Sequence, residues 1–176
     1  MRYLELRRHT MRTKPGQHLS QAGVSLARNV GEGLGPFERV ITSTLPRAFE
    51  TALAMGFAVD EQFDLLSAMP LDADEEIAWD AGFALLAQAV KRGGAVALYA
   101  GQLATLHYNI VQNLPENGRA LVVSHGGIVE LTAIGCLPDA DYSTLGPGCD
   151  YCEGVLLTFE HDRFTAIEVL RVSGLK

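Results

Sequence analysis

Two apolar periodicities alternate along the chain. Residues 3–8 read Tyr-Leu-Glu-Leu-Arg-Arg, a short apolar-leaning run that predicts a first strand. A polar loop over 10–18 follows, carrying Arg12, Lys14 and Pro15-Gly16. Ser20 stands where a helix N-cap is expected, for a helix running to about Gly31 and closed by Gly33 and Gly35. Residues 39–43, Arg-Val-Ile-Thr-Ser, predict a second strand leading into a helix over 45–55. Pro46 falls in the first turn of that helix, where the missing N–H costs nothing.

Within 73–92, Ile77, Phe83, Leu86 and Val90 recur at helical spacing, and Leu103, Leu106, Ile110, Val111 and Leu114 form a second stripe. The clearest strand is Ala120-Leu121-Val122-Val123-Ser124, a continuous apolar run of the kind buried on both faces of a parallel sheet. It feeds a helix beginning near Gly127. Residues 154–159 and 164–170 read as a hairpin turning at His161-Asp162-Arg163. The alternation predicts a three-layer α/β/α sandwich, one domain over 1–176, with a mostly parallel sheet and an antiparallel C-terminal strand.

Charge narrows the partners. A net charge of −7, from 14 basic and 21 acidic residues, opposes nucleic acid and anionic membrane, which need a basic face. A small anionic substrate stays open, because a few arginines suffice for a local positive pocket. The three cysteines, Cys136, Cys149 and Cys152, do not suggest a disulfide framework. The uncharged run over 93–115 contains Gln102, His107, Asn109, Gln112 and Asn113, which are costly in lipid. With no secretory pattern after Met1, a cytoplasmic protein is expected.

Ligands of such sheets sit where strand C-termini meet helix N-termini, because free N–H groups and the helix dipole favour anions there. Three segments fall at such junctions. The first strand ends in Arg8-His9-Thr10, the second runs into Ser43-Thr44-Leu45-Pro46-Arg47-Ala48-Phe49-Glu50-Thr51-Ala52, and the late strand ends in Ser124-His125-Gly126. In these motifs, their order and their spacing the chain resembles the histidine phosphatase superfamily, the phosphoglycerate mutase-like enzymes, over essentially its whole length. The resemblance implies a metal-independent phosphohydrolase acting on a phosphomonoester or phosphoramidate. His9 would accept the phosphoryl group as a phosphohistidine, Arg8 and Arg47 would clamp its oxygens, and His125 would donate hydrogen bonds to them. Neither cofactor nor metal is implied. Phosphoryl transfer depends mainly on positioning and cationic stabilisation, which fits this residue set.

Thr10, Ser43 and Gly126 are the expected substrate contacts beside these four. Thr10 replaces the family's usual glycine, and Pro15 stands near a position where many members carry asparagine. No glutamate falls where the family keeps its proton donor; Asp72, Asp74 and Glu75 are the candidates, and at most one of them is expected to act. Small protein-phosphohistidine phosphatases also lack that acid, which keeps a phosphorylated protein side chain beside small phosphorylated compounds as substrate. The alternatives are a catalytically silent phospho-ligand domain, suggested by Thr10 and the absent glutamate, and a phosphoglycerate mutase, against which the short chain speaks. Arg12 and Lys14 read as a solvated loop. A lone Cys149-Asp150-Tyr151-Cys152 lacks the second ligand pair of a structural zinc site.

Overall fold

The computed structural model describes residues 1–79 and 81–173. Six strands form one sheet: β1 (Arg2–Arg8), β2 (Arg39–Ser43), β3 (Glu61–Phe63), β4 (Arg119–Ser124), β5 (Gly154–Glu160) and β6 (Arg163–Leu170). Their spatial order is β3-β2-β4-β1-β5-β6. The first four of these run parallel, while β5 is antiparallel to β1 and β6 to β5. The expected mostly parallel sandwich with its C-terminal hairpin is therefore present.

Helices cover both faces. On one lie α1 (Gln21–Gly31) and α2 (Pro46–Ala54), and on the other lie α3 (Leu71–Asp74), α4 (Phe83–Lys91), α5 (Ala95–Gln112) and α6 (Ile128–Cys136). The pleat of β4 explains why a continuous apolar strand was needed. Ala120 and Val122 enter the larger core under α5 and α6, while Leu121 and Val123 pack on Ala48 and Ala52 of α2. In β1 the second face is not apolar. Leu4 and Leu6 join the larger core, but Glu5 and Arg7 are buried as an ion pair at 2.7 Å, joined by Arg119.

Ser20 caps α1 as expected, its Oγ accepting from the Gly23 N–H at 3.1 Å. The helical stripe over 73–92 is corrected. Only 83–91 continue as a helix, because Gly82 takes an extended conformation against the turn at Gly146. A Cβ on Gly82 would stand 2.7 Å from the Gly146 carbonyl, and Phe83 N–H donates to that same oxygen at 3.3 Å. Residues 75–79, between Asp74 and the break at Gly82, form turns and coil rather than helix. Among the described helices none is long and apolar enough to cross a membrane.

The helix carrying the late motif is seated closely. Gly135 of α6 packs on α5 so tightly that an added Cβ would lie 2.3 Å from the Ala100 carbonyl. Gly135→Ala should therefore destabilise the protein by about 1–3 kcal/mol through overpacking. In urea this would lower the unfolding midpoint at unchanged m-value, and an unaltered midpoint would contradict the packing described.

Candidate functional site

Strand register brings the motifs together. In the β1–β4 ladder Arg8 faces Ser124, so His9 and His125 leave adjacent strands at the same level. His9 N–H donates to Ser124 O at 2.8 Å, extending the ladder by one bond. The two buried imidazoles lie with centroids 5.0 Å apart. Both line a cavity of about 890 Å³, together with Arg8, Arg47 and Gly126.

Each ring is oriented by a neighbour. His9 Nδ1 is 2.6 Å from the Thr10 carbonyl, which can only accept. Nδ1 therefore carries the proton of the neutral ring and Nε2 keeps its lone pair. Arg47, in the first turn of α2, donates from Nε to that Nε2 at 3.2 Å, and from Nη1 to Gln17 Oε1. His125 Nε2 lies 2.7 Å from Ser43 Oγ, which also accepts the Leu45 N–H at 3.4 Å. When the Ser43 hydroxyl donates to His125 Nε2, the neutral ring carries its own proton on Nδ1. That nitrogen is buried without a hydrogen-bond partner among the described residues.

Arg8 gives the second orphan. Its Nη1 donates to the Cys149 carbonyl at 2.8 Å, and its guanidinium carbon lies 4.8 Å from the Tyr151 ring centroid. Its Nε is buried with no partner among the described residues. Gly126 permits this placement, since a Cβ there would stand 3.2 Å from the guanidinium. Two buried nitrogens without partners, on residues that line one cavity, are costly unless a partner arrives. An anion supplies such partners. Burial is also the main cause of the imidazole pKa values. It pushes His9 down to about 4, opposed by the Thr10 carbonyl and reinforced by Arg47, Arg8 and Arg12. It pushes His125 to about 3, reinforced by His9 and the same two site arginines, Arg47 and Arg8.

Other expected residues stand differently. Thr10 does not face the cavity: its hydroxyl donates to Gly23 O at 3.0 Å and its N–H to Thr51 Oγ1 at 3.1 Å. The extra bulk is thus absorbed beneath α1 and α2, and the expected substrate contact is corrected to a scaffold role. Ser43, fully buried, orients His125 rather than lining the cavity. Among the three acids, Asp74 lines the cavity, and its Oδ1 is buried without a partner among the described residues. Asp72 instead turns Oδ1 to the Ala73 N–H at 3.0 Å, and Glu75 is exposed outside the lining. Arg12 holds its own loop, donating to Pro15 and Gly16 carbonyls at 3.2 and 2.6 Å. Cys149 and Cys152 are free, buried thiols whose pKa values burial raises.

Sequence reasoning missed Gln17, Glu130 and the segment around Arg171. Glu130 of α6 accepts the Gly127 N–H at 2.7 Å and the Cys149 N–H at 2.5 Å, tying the His125 turn to the opposite loop. A glutamate three residues into a helix that starts at Gly127 was the available signal.

No family model and no curated protein matches the sequence. Solved structures do match in fold. Phosphoserine phosphatase from Entamoeba histolytica, in complex with 3-phosphoglyceric acid, covers 100% of both chains at 17% identity with a TM-score of 0.73. A mycobacterial glucosyl-3-phosphoglycerate phosphatase covers 99% of this chain and 100% of its own, at 21% identity and 0.70. Phosphoglycerate mutase from Bacillus anthracis covers 96% and 92%, at 16% identity and 0.69. The architecture is therefore that of the phosphoglycerate mutase-like sandwiches. Because a mutase is matched over 92% of its length, shortness does not separate this chain from mutases.

Burial of the imidazoles has a consequence for stability. The folded pKa values of His9, His125 and the fully buried His107 (about 4, mainly from burial) lie below the unfolded value of 6.5. Between pH 6.5 and about 4 the unfolded chain binds more protons, so stability is full above 6.5 and is lost on acidification. Three such groups give a slope of up to about 4 kcal/mol per pH unit. Urea midpoints at pH 7, 6 and 5 should fall steadily, and a midpoint rising from pH 7 to 5 would contradict the burial.

Proposed function

We propose that this protein is a metal-independent phosphohydrolase of the histidine phosphatase type, working through a phosphohistidine on His9. The observation that carries the reading is the shared cavity. It is lined by His9, whose neutral ring keeps its Nε2 lone pair, by Arg8, Arg47 and His125, and two buried nitrogens of these, Arg8 Nε and His125 Nδ1, have no partner among the described residues. A phosphoryl group supplies acceptors for them, and Arg47 exchanges its bond to His9 Nε2 for one to a phosphoryl oxygen. His9 Nε2 then attacks phosphorus as the bond to the leaving oxygen or nitrogen breaks. Charge spread over the three phosphoryl oxygens is met by Arg8, Arg47 and His125, the arginines binding in planar, bidentate fashion. Water next attacks phosphorus, the P–N bond breaks, and His9 and inorganic phosphate are released.

Asp74 is assigned as the proton donor. It protonates the leaving group in the first step and takes the proton of the attacking water in the second. Its place in the cavity wall and its partnerless oxygen support this over Asp72 and Glu75. Ser43 and Thr10 position the two histidines, and Gly126 admits the Arg8 guanidinium.

Hydrolysis of p-nitrophenyl phosphate should survive EDTA, be inhibited by vanadate and vanish in His9→Ala. Wild-type turnover in His9→Ala would reject the mechanism, and phosphate binding without any turnover would leave a silent binding domain. Asp74→Asn should lower kcat on an alkyl phosphate by ~10²–10⁴-fold, and far less on p-nitrophenyl phosphate, whose leaving group needs no proton. Equal small effects on both substrates would remove Asp74 as the acid.

A further inference from the structure

The wall that faces the leaving group is not built for a carboxylate. Beyond Arg8 and Arg47, the described lining of the cavity holds one cation, Arg171, against Asp74, Glu130, Asp150 and Glu153. Arg171 is committed: Nη1 donates to Glu153 at 2.8 Å and to Gly148 O at 3.0 Å, and Nη2 to Leu145 and Pro147 carbonyls at 3.1 and 2.6 Å. Glu130 has both oxygens on backbone N–H groups and no cationic partner within salt-bridge distance among the described residues. A second anionic group on a substrate would meet carboxylates, with no further free cation in the described lining to receive it.

The segment that carries Asp74 is otherwise mostly apolar where it lines the cavity. Met69, Leu71, Ile77 and Trp79 line it, with Ile128 at the start of α6. Leu71 is 83% exposed and Trp79 63%, a large apolar surface left open to water at the cavity mouth. The Trp79 ring and the Met69 methyl lie over Gly127, within 3.3 and 3.7 Å of where a Cβ would stand. The indole is thereby set over the backbone two residues from His125. Gly127, at φ +82°, keeps that approach open.

Resting on the phosphohydrolase reading, we infer the substrate class: a phosphate ester or phosphoramidate whose leaving group is aromatic or otherwise apolar and carries no negative charge. Aryl phosphates fit, covering Trp79 and Leu71. Phosphoserine and phosphoglycerates, the carboxylated compounds named with two of the matched structures, are disfavoured here.

Affinity of the intact protein for non-hydrolysable probes tests this without relying on turnover. Phenylphosphonate should bind about thirtyfold or more tightly than 4-carboxyphenylphosphonate, from like-charge repulsion at a few ångströms. Trp79→Ala should weaken phenylphosphonate about tenfold relative to inorganic phosphate, with Trp79→Phe restoring most of the difference. In turnover, phenyl phosphate should exceed phosphoserine and 3-phosphoglycerate in kcat/KM. Equal or tighter binding of the carboxylated probe overturns the inference, as does an unchanged phenylphosphonate-to-phosphate ratio in Trp79→Ala. If the affinity order holds while no aryl phosphate is hydrolysed, the phosphohydrolase reading falls and the inferred binding class stands.

Discussion

The in-register parallel pairing of β1 with β4 is the constraint on which the site depends. Opposing Arg8 to Ser124 fixes two histidines, 116 positions apart in the chain, at neighbouring strand ends. A shift of one residue would send every side chain of β1 to the other face. Leu4 and Leu6 would leave the larger core, and the Glu5–Arg7 pair would enter it. The register is therefore held from both faces, by apolar burial on one and by a buried ion pair with Arg119 on the other. Removing one member of such a pair leaves an uncompensated charge, so this part of the strand tolerates little change.

Around that frame, electrostatics and hydrogen bonding divide the labour. Low local polarity keeps both imidazoles uncharged, which preserves the lone pair on His9. The neighbouring arginines push the same way while remaining cationic themselves. Positive charge beside the two imidazoles thus comes from the guanidinium groups of Arg8 and Arg47, which ordinary pH changes cannot neutralise. The carbonyl of Thr10 and the hydroxyl of Ser43 each fix one ring, so orientation is set by residues that do not reach the cavity.

Much of the fold was legible because its strands and caps carry local cues. The apolar run of β4, the hairpin over β5 and β6, Ser20 and Pro46 each announce themselves within a few residues. The three motifs were legible for the same reason. What escaped was non-local. Strand β3 is three residues long and is defined by its pairing with β2, not by any periodicity of its own. The break before α4 arises because Gly82 packs against the turn at Gly146, 64 positions later. Thr10 and Ser43 sat inside correct motifs, yet their orientation depended on Gly23, Thr51 and His125. Choosing among Asp72, Asp74 and Glu75 required knowing which side of a four-residue helix meets the cavity.

The link made by Glu130 reaches beyond structure. Its two oxygens join the turn after His125 to the loop at Cys149, so one bank of the cavity is fastened to the turn that holds the second histidine. The other bank, from Ser67 to Trp79, meets that turn through van der Waals contact of Met69 and Trp79 with Gly127. Apart from Asp74, descendants of this sequence can therefore change the apolar positions of the second bank with less effect on the His125 turn than changes in the first would have. Divergence among its relatives should accumulate on the side that carries the indole.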